Sequence, residues 1–315
     1  MKKLLTCFII LCLAVSAIAA DGDNEFVAFS LKGKVQYKDK GADKAWKDVS
    51  AKTQFFKGNV IKLEKDAELV LVHRLHKTVK LAKAGEHKVD ALSKDTEKKP
   101  ADENATYWQY IWKEFNKQSK DAESYHRDYM QTKGGVDRGD GCVKPIMMTP
   151  VYDEKLFADS ITFTWEKDAS GATVYTVVFF KDEFEDLRLL ELDVTGQSLT
   201  ISTKTFWFKP GANYYWVAYP KGKPNCARFP FTIVKMDDAQ AFIKKIDDEY
   251  NASKQTPADA VNAARKLEEA GYMQEAGIYF YQAVVLSELA VEYKLLYGAW
   301  LARAGRLEEA QKWWV

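Results

Sequence analysis

A pattern with a period of 34 residues links residues 256–290, which read TPADAVNAARKLEEAGYMQEAGIYFYQAVVLSELA, to residues 291–315, which read VEYKLLYGAWLARAGRLEEAQKWWV. Residues of the same type recur 34 positions apart. Ala264 and Gly298 are both small, Gly271 and Gly305 are both glycine, Ala276 and Ala310 are both alanine, and Phe280 and Trp314 are both aromatic. Small residues let two antiparallel helices approach closely, and a glycine turns the chain between them. The pattern therefore predicts stacked helical hairpins in the C-terminal region.

This repeat resembles the tetratricopeptide repeat, which has the same period and the same small, glycine, alanine and aromatic positions. Two copies are visible, and the second stops within its second helix. Ala260 and Lys294 stand where that family usually has a large aromatic residue. The resemblance implies an all-α, repeat-like region over residues 236–315, and the departures leave open whether it grips a peptide.

Two copies of such a repeat cannot bury all of their apolar faces, because solenoids need about three repeats and a polar cap. We expect the seam near Tyr297 and Leu301 to be covered by a helix predicted at 237–250, by the preceding β domain or by another chain. The end of the chain is unusually apolar. We expect Trp314 to be buried and Trp313 to be partly exposed as a contact for a partner.

The first 20 residues are typical of a secretory signal peptide. Lys2 and Lys3 precede an apolar run at 4–15, and small residues in an A-x-A pattern follow. The run is shorter than the roughly 20 apolar residues that a membrane-spanning helix needs. We expect cleavage after Ala19 or Ala20, export to the periplasm or cell envelope, and no membrane span.

Residues 21–95 predict a β domain, because short segments rich in β-branched residues alternate with glycines. Its hydrophobic spacing resembles that of the FecR domain, a periplasmic β-rich module, in residues 33–35, Trp46, 56–61, 67–71 and 78–81. FecR regulators carry a cytoplasmic segment and a membrane span before this module. The predicted signal peptide stands in their place here, so signalling to a sigma factor is not carried over.

Residues 96–135 predict a linker and a long helical connector. The helix is predicted over 105–131, where proline and glycine are absent and Tyr107, Ile111 and Phe115 follow helical spacing.

Residues 136–235 return to short β segments separated by turn residues. They resemble an immunoglobulin or fibronectin type III sandwich in Trp165, Gly171, Tyr175 and residues 209–211 and 214–217. This architecture says nothing of function by itself.

Two cysteines remain once the predicted signal peptide is removed, Cys142 and Cys226. An even pair in an exported chain indicates one disulfide, and two buried free thiols are the alternative. We expect a disulfide that ties the entry of the sandwich to the start of its last strand.

Composition and motifs argue against most kinds of catalytic, metal-binding and nucleic-acid-binding site. Lys and Arg total 46 against 45 Asp and Glu, so no overall field favours nucleic acid. His73 and His76 lie three apart in a predicted strand and so point to opposite faces. The acidic stretch 182–186 lacks the spacing of a calcium loop. Motifs for hydrolases, nucleotide binding and zinc are absent from the sequence. We therefore predict no catalytic, cofactor-binding or metal-ligating residues.

The sequence favours a non-enzymatic scaffold or interaction protein of the bacterial cell envelope, which binds another protein or an envelope component. A carbohydrate- or peptidoglycan-binding protein is the alternative, and it would need a flat platform of exposed aromatic residues on the sandwich. An unrecognised envelope hydrolase is the second alternative, and it would need converging carboxylates in a cleft.

Overall fold

A computed structural model of the chain describes residues 24–41, 44–102, 104–117, 119, 121–132, 147–168, 170–182, 187–205, 207–223 and 228–314. The chain divides into two units, residues 1–100 and 101–315. The expected signal peptide, both cysteines of the expected disulfide and most of the acidic stretch 182–186 lie outside the described residues. Among the described helices, none is long and apolar enough to cross a lipid bilayer.

The first unit is built from two four-stranded sheets around one core. Its elements are β1 (Asn24–Lys32), β2 (Val35–Lys38), β3 (Lys47–Asp48), β4 (Gln54–Phe56), β5 (Val60–Leu63), β6 (Glu68–His73), β7 (Thr78–Leu81), β8 (Gly85–Lys88) and α1 (Val89–Glu97). The strand orders are β4-β1-β6-β7 and β3-β2-β5-β8. In β7, Val79 and Leu81 are buried and Lys80 between them is exposed, because successive side chains of a strand face opposite sides.

Two helices occupy the region where the sequence predicts one. They are α2 (Ala105–Phe115) and α3 (Ala122–Thr132). Residues 116–121 contain no apolar side chain that could continue the buried stripe of α2. Asp121 instead caps the next helix, since its Oδ1 accepts a hydrogen bond from the backbone N–H of Ser124 at 2.7 Å. The loss of the apolar stripe and the new cap together explain the break.

The second unit continues with two facing sheets. Their strands are β9 (Met147–Thr149), β10 (Glu154–Leu156), β11 (Ser160–Trp165), β12 (Val174–Phe180), β13 (Arg188–Thr195), β14 (Ser198–Ser202), β15 (Ala212–Pro220) and β16 (Phe229–Ile233). The orders are β10-β16-β15-β12-β13 and β14-β11-β9. Phe163 of β11 packs its ring 4.8 Å from that of Phe179 and 5.0 Å from that of Trp216, both in the other sheet. One aromatic core therefore joins the two sheets.

Five helices complete the second unit: α4 (Met236–Asn251), α5 (Pro257–Glu269), α6 (Met273–Leu286), α7 (Val291–Arg303) and α8 (Leu307–Trp313). Helices α5 and α7 begin 34 residues apart (291 − 257), and so do α6 and α8 (307 − 273). Gly271 and Gly305 turn the two hairpins at φ of +90° and +72°, which favour glycine. The coarse prediction of a multidomain chain, with β-rich regions and a helical C-terminal region, is confirmed.

Helix α3, which the sequence did not suggest as a cover, packs against α7 and α8, and the preceding β region, which it did suggest, contacts the last hairpin at Gly305. The imidazole Nδ1–H of His126 donates to the carbonyl of Ala302 at 2.6 Å. The ring of Tyr125 lies 5.4 Å from that of Trp314. Leu301 is fully buried, whereas Trp314 is only half-buried rather than buried as expected. Because the connector breaks at residues 116–121, its second half can turn and lie against α7 and α8.

We predict that Gly305→Ala destabilises the second unit more than Gly171→Ala does. Both positions have φ near +73°, where a Cβ costs about 1–2 kcal/mol. A Cβ at Gly171 meets open space, whereas one at Gly305 collides with the backbone carbonyl of Met148. Urea unfolding of the two variants measures the difference. Equal losses would contradict the close approach between the last hairpin and β9.

Candidate functional site

One arginine lies at the centre of the helices of the second unit. Arg303 is the last residue of α7, and its side chain is 3% exposed. A charge taken out of water costs several kcal/mol unless ion pairs and hydrogen bonds compensate it. The partners of Arg303 therefore decide how the surrounding helices are placed.

Each of the five N–H groups of Arg303 has an acceptor. Nη1 donates to Glu114 Oε2 at 3.0 Å and to the hydroxyl of Tyr125 at 2.7 Å. Nη2 donates to Glu268 Oε2 at 2.8 Å and to the hydroxyl of Tyr110 at 3.2 Å. Nε donates to Glu268 Oε1 at 2.5 Å. These partners come from α2, α3 and α5, so one guanidinium joins four helices.

Glu114 remains ionised although it is buried. Burial by itself would raise the pKa of Glu114, but the charges of Arg303 and Lys117 outweigh it and hold the pKa at about 2. Lys117 Nζ donates to Glu114 Oε1 at 2.8 Å, and the hydroxyl of Tyr125 also donates to Glu114. The burial that lowers the pKa of Arg303 is likewise outweighed, first by the charge of Glu268, so Arg303 stays charged.

A cleft of about 450 Å³ opens beside this cluster, between α2 and α5. It brings Glu114 and Glu268 together, which is the arrangement that the envelope-hydrolase alternative requires. A glycosidase or other hydrolase needs one carboxyl with a raised pKa to donate a proton. Glu114 has a lowered pKa, and both oxygens of Glu268 bind Arg303. The cluster therefore has the properties of a structural junction.

The described part of the first unit contains one group of side chains with the composition of a metal site. Ligand atoms of Glu25, His73 and Glu97 lie within 4.8 Å of one another. Cations already occupy the carboxylates, since Lys57 lies 3.2 Å from Glu25 and Arg74 bridges Glu25 at 3.3 Å and Glu97 at 2.7 Å. A divalent ion would have to displace these ion pairs.

The protonation of His73 argues against both metal binding and catalysis. Its Nδ1 accepts a hydrogen bond from the backbone N–H of Leu75 at 3.2 Å, so the proton is on Nε2. Nε2 lies 3.1 Å from the hydroxyl of Ser93. A protonated nitrogen offers no lone pair to a metal and cannot take the proton of a serine. The hydroxyl of Ser93 instead donates a hydrogen bond to Oε2 of Glu25. The group stabilises the end of β6 against α1.

A third buried charge site joins the sandwich to the helices. Glu154 of β10 is 2% exposed and accepts hydrogen bonds from Val151 N–H at 2.9 Å and from Gln274 Nε2 at 3.1 Å. Burial raises the pKa of Glu154 to about 7, because no cation among the described residues compensates it as Arg303 compensates Glu114. This carboxyl therefore exchanges a proton near neutral pH.

Among the residues that the structure describes, the largest concentration of exposed apolar side chains lies on the outer face of α6 and in the turn after it. Ile278, Tyr281 and Val285 are 66%, 49% and 54% exposed. Their spacing of three and four residues places them in one stripe along the helix. Three more exposed apolar residues follow along the chain: Leu286 at the end of α6, Leu289 in the turn after it and Val291 at the start of α7. We call these six residues the α6 surface.

The predicted partner contact lies at the edge of the α6 surface. The ring of Tyr281 is 5.4 Å from that of Tyr297, which is 5.1 Å from that of Trp313. Trp313 is half-buried. A Cβ at Gly298 would stand 3.1 Å from the Cβ of Trp313, so the small residue of the repeat pattern lets the end of α8 approach α7. The partner role of Trp313 stays a prediction.

The tryptophans of the sandwich, all of them among the described residues, do not form the platform that carbohydrate binding would need. Trp165 and Trp216 are 1% and 0% exposed and lie in the shared core of the two sheets. Trp207 is half-buried and packs against the same core. These three indoles are therefore used for packing.

No protein-family model matches this chain, and no curated protein matches it. The function therefore has to be inferred from the contacts and exposed surfaces of the chain itself.

We predict that Arg303→Met lowers the free energy of unfolding by about 3–5 kcal/mol, because it leaves Glu114 and Glu268 without their cation in a buried site. Arg127→Met is the matched control. Arg127 is 48% exposed and pairs with Glu123 within α3, so its loss should cost less than about 1 kcal/mol. Urea unfolding of both variants tests the prediction.

A triple variant separates lost charge compensation from lost packing. Arg303→Met combined with Glu114→Gln and Glu268→Gln removes the uncompensated carboxylates and should recover part of the lost stability. If Arg303→Met costs no more than Arg127→Met, the arginine does not hold the helices together.

We predict that stability falls as pH rises from about 4.5 to about 7, by up to about 3 kcal/mol from Glu154 alone. In this window the folded state keeps a proton on Glu154 that the unfolded chain has released. Glu154→Gln removes this proton exchange and keeps both hydrogen bonds once the amide of Gln274 rotates. The lowered pKa of Glu114 acts only below about pH 4.5, where falling pH removes stability. Parallel unfolding curves for wild type and Glu154→Gln across the window would contradict the prediction.

Proposed function

We propose that this chain is an exported, non-enzymatic interaction protein of the bacterial cell envelope and that it binds another protein through the α6 surface. The observation that carries the proposal is the exposed stripe of Ile278, Tyr281 and Val285. Single exposed apolar residues are ordinary, but a contiguous patch is typical of an interaction site.

The energy available from this surface is large enough for specific binding. Full burial of one large apolar side chain stabilises a complex by about 1.5–3 kcal/mol, so three such side chains are a substantial driving force. Tyr281, Tyr297 and Trp313 lie side by side, and Tyr and Trp are the residues most often found as interface anchors. We include Trp313 as a contact at the rim of the interface.

Binding is better supported than catalysis or carbohydrate recognition. The carboxylates that converge beside the cleft are held by Arg303. The indoles of the sandwich, Trp165 and Trp216, are buried. Export and the envelope location rest on the signal-peptide pattern of residues 1–20 and on the resemblance of 21–95 to a periplasmic module.

Affinity capture from envelope extract tests the proposal. The baits are wild type, the double variant Ile278→Ser with Val285→Ser, and a matched control, Leu187→Ser with Leu192→Ser. Leu187, the residue before β13, is 50% exposed, and Leu192, on β13, is 37% exposed. Both are far from α6 in the sequence. We expect a specific protein to be captured by wild type and by the control, and to be lost with the α6 double variant.

Thermal unfolding of all three baits checks that each is folded, since the replaced side chains are exposed. If the same proteins are captured by all three baits, the α6 surface is not the binding site. The proposed function would then be wrong.

A further inference from the structure

The charge along the chain segment that carries the α6 surface has a single sign. Residues 273–293 contain no Lys, Arg or His, although the chain has 46 Lys and Arg. The same stretch contains three carboxylates, Glu275, Glu288 and Glu292. Glu275 lies three residues before Ile278 and Glu288 three after Val285, so the first carboxylate is on the neighbouring helical turn and the second is in the turn after α6. Along the chain, the α6 surface is therefore bordered by acidic residues.

These three carboxylates lack a cation partner among the described residues. Some other acidic residues of the helical region have one, as in the pairs Glu249 with Lys266 at 2.6 Å and Glu309 with Arg306 at 2.5 Å. Glu275 and Glu292 are half-buried, and burial raises the pKa of each. A cation placed beside them would offset that cost. The carboxylates that border the α6 surface therefore carry negative charge that no described cation compensates.

We propose that the α6 surface binds an amphipathic helix of another protein, whose apolar face is flanked by lysine or arginine. This inference rests on the proposed function and specifies its partner. A stripe at spacings of three and four residues matches the side-chain rows by which two helices pack together. The flanking cations would pair with Glu275, Glu288 and Glu292, and this charge complementarity would orient the helix.

Two other occupants fit the charges less well. In a symmetric pair of copies of this chain, the same acidic borders would meet, and like charges in contact are unfavourable. An anionic membrane surface would repel the three carboxylates for the same reason. A basic helix satisfies both the apolar stripe and its border.

Two synthetic peptides of about 18 residues, five turns of helix, serve as probes. Both carry the same leucine face, and one is flanked by lysines and the other by glutamates. Fluorescence anisotropy measures their binding to the full chain. We expect the lysine peptide to bind about tenfold more tightly or better, as several modest ion pairs add, and to lose this advantage at high salt.

Variants separate the contribution of the carboxylates from that of the apolar side chains. Glu275→Gln with Glu288→Gln and Glu292→Gln should abolish the preference for the lysine peptide while leaving weak binding of both. Ile278→Ser with Val285→Ser should abolish binding of both, and Leu187→Ser with Leu192→Ser should bind as wild type does. Equal binding of the two peptides, or a preference that survives the triple Gln variant, would overturn the inference.

Three further measurements identify a different occupant or a different failure. Binding to phosphatidylcholine–phosphatidylglycerol vesicles that Ile278→Ser with Val285→Ser removes would assign the surface to a membrane and overturn the inference. Self-association that the same variant removes, seen by sedimentation, would assign it to a second copy and also overturn it. If envelope capture depends on the α6 surface but the lysine peptide is not preferred, the proposed function stands and only this inference is wrong.

Discussion

The helical half of the second unit depends on the compensation of one buried charge. Removing a guanidinium from water costs several kcal/mol, and Arg303 recovers this only if all five N–H groups find acceptors at the same time. The acceptors come from α2, α3 and α5, so the requirement fixes the position of three helices relative to α7. A rearrangement of any one of them would leave an uncompensated charge in the interior.

This constraint explains which surfaces of the hairpins are covered. Glu114 and Tyr125 hold α2 and α3 against α5 and α7, where α3 covers Leu301 and contacts Trp314. The chain therefore supplies its own cover for that side of the repeat. The opposite side of α6 receives no such cover from the described residues, and its apolar stripe remains exposed.

Helix α6 has two faces with different roles. Toward α7 it packs closely, because Gly277 leaves room for the indole of Trp300, whose Nε1–H donates to the carbonyl of Met273 at 3.0 Å. Away from α7 it presents Ile278, Tyr281 and Val285. Binding through this face, as proposed, would use a helix that is already packed on its other side, so little conformational entropy would be lost.

The sequence by itself determined the helical hairpins and their period, because the small residues and the turn glycines at Gly271 and Gly305 are local requirements. It likewise predicted β-rich regions from alternation and turn residues. Tertiary structure alone decided the role of Arg303, since its acceptors lie 35 to 193 residues away in the chain. It also decided which face of α6 is free. That helix is apolar on nearly every side, and periodicity cannot say which apolar face has a neighbour.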